Sequence, residues 1–175
     1  DSKPSHAPNS FGSKPAVQFD GINDFLSVSE LRSTAGGYSA YASVKRSFTS
    51  TDDVGYLVGS SDWALQPSNT KEEFSAIIVK KSGSSGALSS LKIGKATSGT
   101  NNDFGGELGE LLIFKRQLTS SDEQKVEGYL AHRWGATASL SANHPYKSVA
   151  PIFDNSPLIV EKSWLIPAEI TNRPD

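Results

Sequence analysis

Cysteine and methionine are both absent from the 175 residues of this chain. Without cysteine the chain has no disulfide, no thiolate zinc site and no cysteine nucleophile. Apolar runs are short, as at residues 111–114, whereas a helix that crosses a bilayer needs roughly 20 apolar residues. We therefore expect no membrane insertion. The chain begins at Asp1 and shows no basic and apolar leader, so we expect a processed form or a fragment without a signal peptide.

An excess of charge of one sign is missing as well. The chain has 17 Lys and Arg against 19 Asp and Glu, a net charge of -2. Binding to nucleic acid or to an anionic membrane needs a basic stripe, so we expect neither partner. Small residues are plentiful instead: 28 Ser and 15 Gly are spread along the chain. This composition favours short strands and tight turns over a helical bundle.

Composition divides the chain into three segments. Residues 1–15 contain three Pro and four Ser, which predicts an extended N-terminal arm. Residues 16–150 carry the strand and helix patterns of one compact domain. Residues 151–175 are predicted to be an extended C-terminal tail with a strand at 158–166, where alternate residues are apolar.

Several strands are predicted within the compact segment. The apolar runs at 16–19 and 25–28 flank an Asp-Gly turn and predict a hairpin. Residues 38–44 alternate, with one apolar face. The run at 74–79 is another predicted strand, and its residues 77–79 are apolar on both faces, which places it in the middle of a sheet. A Ser-Gly turn at 80–86 should then lead the chain back into a strand that pairs with it.

One helix is predicted near residues 120–134. Ser120 and Glu123 have the spacing of a capping box, and Leu118 precedes them as a hydrophobic staple. Apolar residues then recur at helical spacing as far as Trp134, which should pack the helix on a sheet. Gly135 is the expected end of the helix. Many strands followed by one helix predict an all-β fold with a helical closure.

Two stretches carry a family likeness. Residues 17–28 contain the sequence F-D-G-I-N-D, and residues 104–135 contain G-E-L-G-E followed by Y-L-A-H-R-W-G. Together they resemble the laminin-G-like branch of the concanavalin A-like lectin/glucanase superfamily, in its bacterial and viral members. The resemblance covers about residues 16–135. It implies a jelly roll, that is, a sandwich of two antiparallel sheets with loops along one rim.

An exposed aromatic ring with planar polar side chains is the usual chemistry of a sugar site. The candidates for such a site are Trp63, Tyr56, Asn101, Asn102 and Asp103. Trp63 serves a sandwich core equally well, so both interpretations stay open.

Calcium is the candidate metal, because laminin-G-like modules that this chain resembles often hold one Ca²⁺ at the rim. Calcium takes six to eight oxygen ligands. The candidate ligands are Asp52, Asp53 and Asp103, with Asn101 and Asn102 beside the last. Asp20 and Asp24 are further candidates, but hydrogen bonds within a turn explain them as well.

A catalytic site is not predicted. Glycoside hydrolysis needs two carboxylates that flank one bond, and Glu107 and Glu110 are the best pair. Their odd spacing on one strand sends them to opposite faces, which leaves Glu107 in solvent and Glu110 to cap or order the sheet edge. The three histidines, His6, His132 and His144, form no i, i+4 pair, and no serine lies in a nucleophile elbow.

Two functions of different classes follow as expectations. The first is a non-catalytic, lectin-like recognition and adhesion module, extracellular or on a virion or cell surface, that binds a glycan or a cell-surface protein. The second is a structural subunit of an extracellular filament or virion appendage, assembled with neighbouring subunits through residues 1–15 and 151–175, since terminal strands can add to a neighbour's sheet edge. A trimmed glycoside-active enzyme that uses Glu107 and Glu110 is the least favoured alternative.

Overall fold

The computed structural model describes residues 2–28, 37–46, 55–59, 64–67, 76–84, 91–95 and 103–153, and the backbone of residues 162–164. In these residues the fold is mostly β, with two antiparallel sheets and one α-helix, as the sequence predicts. Within the same ranges, no helix combines the length and the apolar character needed to cross a membrane.

In the described residues the large sheet and the small sheet together contain ten strands. In chain order these are β1 (Ser5–Phe11), β2 (Lys14–Asp20), β3 (Leu26–Val28), β4 (Tyr38–Arg46), β5 (Val58–Gly59), β6 (Ala64–Leu65), β7 (Ile77–Gly83), β8 (Leu91–Ile93), β9 (Gly105–Phe114) and β10 (Lys162–Trp164). The large sheet has the order β1-β2-β9-β4-β7, with β10 paired to β9, and the small sheet has the order β3-β8-β5-β6. Helix α1 (Ser120–Trp134) and a short 3-10 helix (Thr137–Ser139) follow β9.

The large sheet is covered on both faces. Even-numbered residues of β4, such as Ala40 and Ala42, pack toward the small sheet together with Leu111 of β9. Tyr41 and Leu112 point the other way and pack against α1. The molecule therefore has three layers: the small sheet, the large sheet and the helix. This is a β-sandwich-like architecture whose outer face is closed by α1.

Most of the N-terminal segment that the structure describes belongs to the large sheet, as β1 and the start of β2. Residues 5–11 are extended, but they form an edge strand paired with β2 and do not project as a separate arm. A two-residue turn with positive φ at Gly12 and Ser13 joins β1 to β2, the geometry that favours hairpins. Phe11 is buried against Trp134, with ring centroids 5.0 Å apart. The domain boundaries at 15/16 and 150/151 stay predictions.

Both predicted hairpins are wrong. After Asp20 the chain leaves the large sheet, and β3 pairs with β8 in the small sheet instead of returning along β2. After Gly83 it crosses again, so β8 pairs with β3 and β5 and not with β7. β7 is also an edge strand, and its apolar residues on both faces reflect cover from the small sheet and the helix layer.

The helix lies at the predicted residues, with its cap one residue earlier than predicted. Thr119 is the N-cap, and its side chain accepts a hydrogen bond from Asp122 N at 3.2 Å. Gly135 ends the helix in the left-handed conformation, with φ 71. Trp134 is buried and packs on the sheet, which confirms the prediction for this side chain.

A bulge in β9 lies beneath Trp134. The register with β4 shifts there, because Ser43 pairs with Glu110 and Val44 pairs with Leu108. Gly109 is the extra residue, and a Cβ built on it would lie 2.6 Å from the indole ring. Glycine is therefore required for the indole to reach the strand.

Candidate functional site

Two of the predicted sugar-site residues are adjacent in the structure. Tyr56 and Asp103 form an isolated parallel β-bridge between segments that are far apart in sequence. The approach is close because Gly55 has no side chain: a Cβ there would lie 2.1 Å from the carbonyl oxygen of Asp103. Trp63, Asn101 and Asn102 lie outside the described residues, as do Asp52 and Asp53.

Asp103 is a buried carboxylate with one satisfied oxygen. Its Oδ2 accepts from Lys95 Nζ at 2.8 Å, and the side chain itself has no exposed surface. Its Oδ1 is buried and has no hydrogen-bond partner among the residues that the structure describes. Buried polar atoms are rarely left unpaired, so this oxygen marks a place where a further donor is favoured.

The backbone holds Lys95 against this aspartate. Gly94 N donates to Leu57 O at 2.7 Å, and Phe104 N donates to Gly94 O at 2.8 Å, so three chain segments are joined just before Lys95. Gly94 has a φ of 93, and a Cβ there would lie 2.4 Å from the Phe19 ring, which again requires glycine.

An apolar and cationic surface adjoins this position. The ammonium groups of Lys92 and Lys95 lie 5.5 and 5.9 Å from the Phe25 ring centroid. Ile22 and Leu26 nearby in the chain are exposed large hydrophobic residues. We call Tyr56, Lys95 and Asp103 the rim site, and Phe25 with Lys92 its flank.

Asp20 and Asp24 stabilise a turn. Asp20 Oδ1 accepts from the N–H groups of Ile22, Asn23 and Asp24 at 2.8, 3.1 and 3.3 Å, and Asp24 Oδ2 accepts from Asp20 N at 3.0 Å. The backbone donors at Ile22 and Asn23 lower the pKa of Asp20 below its ordinary value. The F-D-G-x-x-D sequence thus builds the crossing from the large sheet to the small sheet.

In the described part of the chain Asp103 pairs with a lysine, and its place as a calcium ligand stays a prediction. The ammonium of Lys95 already neutralises it, and these residues contain no group of three or more acidic or histidine side chains able to hold a metal. A calcium site built on Asp52 and Asp53 stays a prediction, because both lie outside the described residues.

Glu107 and Glu110 lie on the same face of β9, so the parity argument is wrong. The bulge at Gly109 adds one residue and reverses the alternation between them. Glu107 is not free in solvent: its side chain is 13% exposed and lies 3.8 Å from Lys45 Nζ. The sequence offers no direct signal of this bulge, although a glycine inside a strand is compatible with one.

Glu110 anchors the helix to the sheet. Its Oε2 accepts from Trp134 Nε1 at 2.9 Å and from Arg133 Nε at 3.1 Å, and its Oε1 accepts from the Tyr129 hydroxyl at 3.2 Å. Burial, and then the charge of Glu110, raise the pKa of Tyr129. All three donors come from the last two turns of α1, so this carboxylate holds the helix to the central strand β9 and does not order a sheet edge.

The histidines serve a segment that packs on α1. His132 Nε2 lies 2.9 Å from Tyr146 O, and His144 Nδ1 accepts from Tyr146 N at 3.2 Å. His144 Nε2 lies 3.1 Å from Glu127 Oε2, so both of its ring nitrogens are occupied. His6 is an exposed residue of β1. These contacts leave His144 without a free nitrogen to act as a base.

Lys95 is the residue of the rim site that sequence analysis missed. It follows the Gly that ends β8, and nothing local distinguishes it from Lys92 or Lys81. Its role depends on the close approach of chain segments that only the tertiary fold brings together.

Comparison of the chain with models of protein families, with curated proteins and with solved structures found no match.

Proposed function

We propose that this chain is a non-catalytic recognition module that binds a glycan or a cell-surface protein at the rim site. The observation that carries the proposal is the partly exposed Lys95 ammonium, which is held by the buried Asp103 and lies beside the Phe25 ring and Lys92. An ammonium that is fixed by a buried carboxylate beside a partly exposed aromatic ring is suited to directed contacts with a polar ligand.

The two layers that cover the large sheet also favour ligand binding at the rim site. Helix α1 occupies the outer face at Tyr41, Leu112 and Phe114, and the small sheet covers the inner face. A ligand is therefore expected at the loops and not on a flat sheet face. This agrees with the resemblance to laminin-G-like jelly rolls, whose binding loops lie along one rim, and with a location outside the cell or on a virion surface.

The test is a binding screen with the full chain. A labelled sample is applied to a glycan array and to a panel of cell-surface ectodomains, in CaCl2 and in EDTA, to include the predicted calcium dependence. For a ligand found there, Asp103→Asn, which removes the ion pair that positions Lys95, and Tyr56→Phe should each weaken binding about tenfold or more.

Asp122→Asn is the matched control, because it makes the same carboxylate-to-amide change at the first turn of α1. It should leave affinity unchanged. Equal losses in all three variants, or binding that survives Asp103→Asn in a folded protein, would place recognition elsewhere. If neither the glycan array nor the ectodomain panel yields a ligand, the proposal is wrong.

A structural subunit is the second candidate function, and strand β10 favours it. Residues 162–164 add to an edge of β9, which shows that the C-terminal tail can extend the large sheet by strand addition. Removing residues 154–175 while keeping Phe153, whose ring contacts Tyr129, should abolish assembly and leave a folded monomer. Assembly of the shortened chain, measured by light scattering, would exclude this function.

A further inference from the structure

The second half of β9 has a side that β2 does not occupy. β4 pairs with β9 along its whole length on one side. On the opposite side β2 pairs only with Gly105–Leu108, and β2 residues before Val17 pair with β1 alone. We call this side of β9, which β2 leaves free along Leu111–Ile113, the β9 slot.

The bulge explains why β2 leaves β9. The register of β9 changes at Gly109, directly under the Trp134 ring, and the β2 pairing ends at the preceding Leu108. Beyond this point Phe11 and Ala16 pack into the cluster beneath α1. The slot is therefore produced by a fixed feature of the fold and does not depend on the tail that fills it.

The chain's own strand β10 occupies the slot. Lys162, Ser163 and Trp164 pair antiparallel with Ile113, Leu112 and Leu111. A ladder of three residues has few hydrogen bonds, and such short terminal elements open at low free-energy cost. The pairing uses main-chain groups, so a strand of the same sequence from another molecule would make the same contacts.

We propose that the β9 slot also accepts the β10 strand of a second copy of this chain. The proposal rests on the second candidate function, assembly through the termini, and names the surface that assembly uses. Exchange of an identical strand replaces each contact with an equal one, so association needs no new interface. The expected partner is thus another molecule of this chain, joined head to tail or reciprocally.

The experiment uses engineered cysteines in the full chain, which has none of its own. One sample carries Leu112→Cys and the other Ser163→Cys, two positions that are paired in the slot. Paired Cα atoms in an antiparallel ladder are about 4.5–5.5 Å apart, within the range of a disulfide. The samples are mixed at increasing concentration, oxidised and resolved on a non-reducing gel.

A heterodimer should form at least tenfold more in this mixture than in a control mixture of Ser163→Cys with Ser13→Cys, a position on the β1–β2 turn. The chain with both Leu112→Cys and Ser163→Cys should form the disulfide within one molecule when dilute. Failure of this intramolecular disulfide, or a heterodimer no more abundant than in the control, would overturn the proposal.

A second pair of variants decides the matter if Leu112→Cys does not fold. Ser163→Pro removes a main-chain donor from β10, while Ser163→Ala keeps it. Concentration-dependent association by light scattering should be lost in the first and kept in the second. If the wild type and Ser163→Pro associate equally, the proposal for the β9 slot is wrong, while assembly through the termini remains supported. A wild type that is monomeric at all concentrations would refute both.

Discussion

At the scale of single residues, buried carboxylates determine how the layers are joined. Glu110 is 2% exposed and lies between β9 and α1, where Trp134, Arg133 and Tyr129 all donate to it. Sequence analysis identified Trp134 as a packing residue from its helical spacing, and the structure confirms this. It could not identify the partner of the indole N–H, because the bulge that turns Glu110 toward the helix has no local signature.

Trp134→Phe tests this anchor. Phenylalanine keeps an aromatic ring but leaves the buried Glu110 without one donor, which should lower the free energy of unfolding by about 1–3 kcal/mol. Urea denaturation measures the change. In a double-mutant cycle with Glu110→Gln the combined loss should be smaller than the sum. Additive losses would mean that the two side chains are not coupled.

Asp20 gives a pH dependence. The N–H groups of Ile22 and Asn23 lower its folded pKa below the ordinary value of 3.8. Its carboxylate therefore contributes stability above pH 3.8, and this contribution is lost as the pH falls through the folded pKa. Asp20→Ala should lower Tm at pH 6, with a difference from wild type that shrinks in acid.

Asp20→Asn is the control, since its amide oxygen can still accept hydrogen bonds in the turn but cannot titrate. Its Tm difference from Asp20→Ala should be independent of pH in the acid range. A wild type whose advantage over Asp20→Ala is the same at pH 2.5 and pH 6 would contradict the assignment.

At the scale of elements, local signals predicted what local interactions determine. The helix at 120–134, with its glycine end, follows from periodicity and capping chemistry. The two false hairpins failed for one reason: Asp20–Asp24 and the turn after β7 connect different sheets, and which sheet a strand joins depends on long-range packing. The Gly12-Ser13 turn carried a hairpin signal, but the three prolines around it directed the interpretation toward an arm.

The N-cap is the sharpest test of an element boundary. Thr119→Ala removes the side chain that accepts from Asp122 N and should lower the free energy of unfolding by about 1 kcal/mol. Ser120→Ala, at the position predicted from sequence, should change it by less than about 0.5 kcal/mol. If Ser120→Ala lowered the stability more than Thr119→Ala in thermal or urea denaturation, the N-cap would be Ser120 and not Thr119.

Gly109→Ala tests the bulge beneath the helix. A methyl group there meets the indole of Trp134 at 2.6 Å, so the strand or the helix must shift, at a cost of about 1–3 kcal/mol. Adding Trp134→Phe should relieve part of that contact, making the double variant more stable than the sum of the two losses. Unchanged stability of Gly109→Ala would show that the indole lies further from the strand.

At the scale of the whole molecule, the large sheet lies between two layers. The alternation at 38–44 predicts one apolar face, yet Ser39, Tyr41 and Ser43 on the other face are buried too. Small and aromatic polar residues are accepted there because α1 and its preceding loop supply cover, and Ser39 Oγ accepts from Leu118 N at 3.0 Å. Sequence analysis found the sheets and the helix; the order of the layers required their packing. Of the candidate site, Tyr56 and Asp103 were predicted from the sequence, but Lys95, the ion-pair partner of Asp103, was not.

Residue-resolved hydrogen exchange tests this three-layer account most directly. The account predicts that the amides of β4 exchange slowest in the molecule, since this strand is buried on both faces and paired along its length on both sides. The edge strand β1 should exchange orders of magnitude faster. If the amide of Tyr41 exchanged as fast as those of β1, the helix would not cover the large sheet, and recognition would not be limited to the rim.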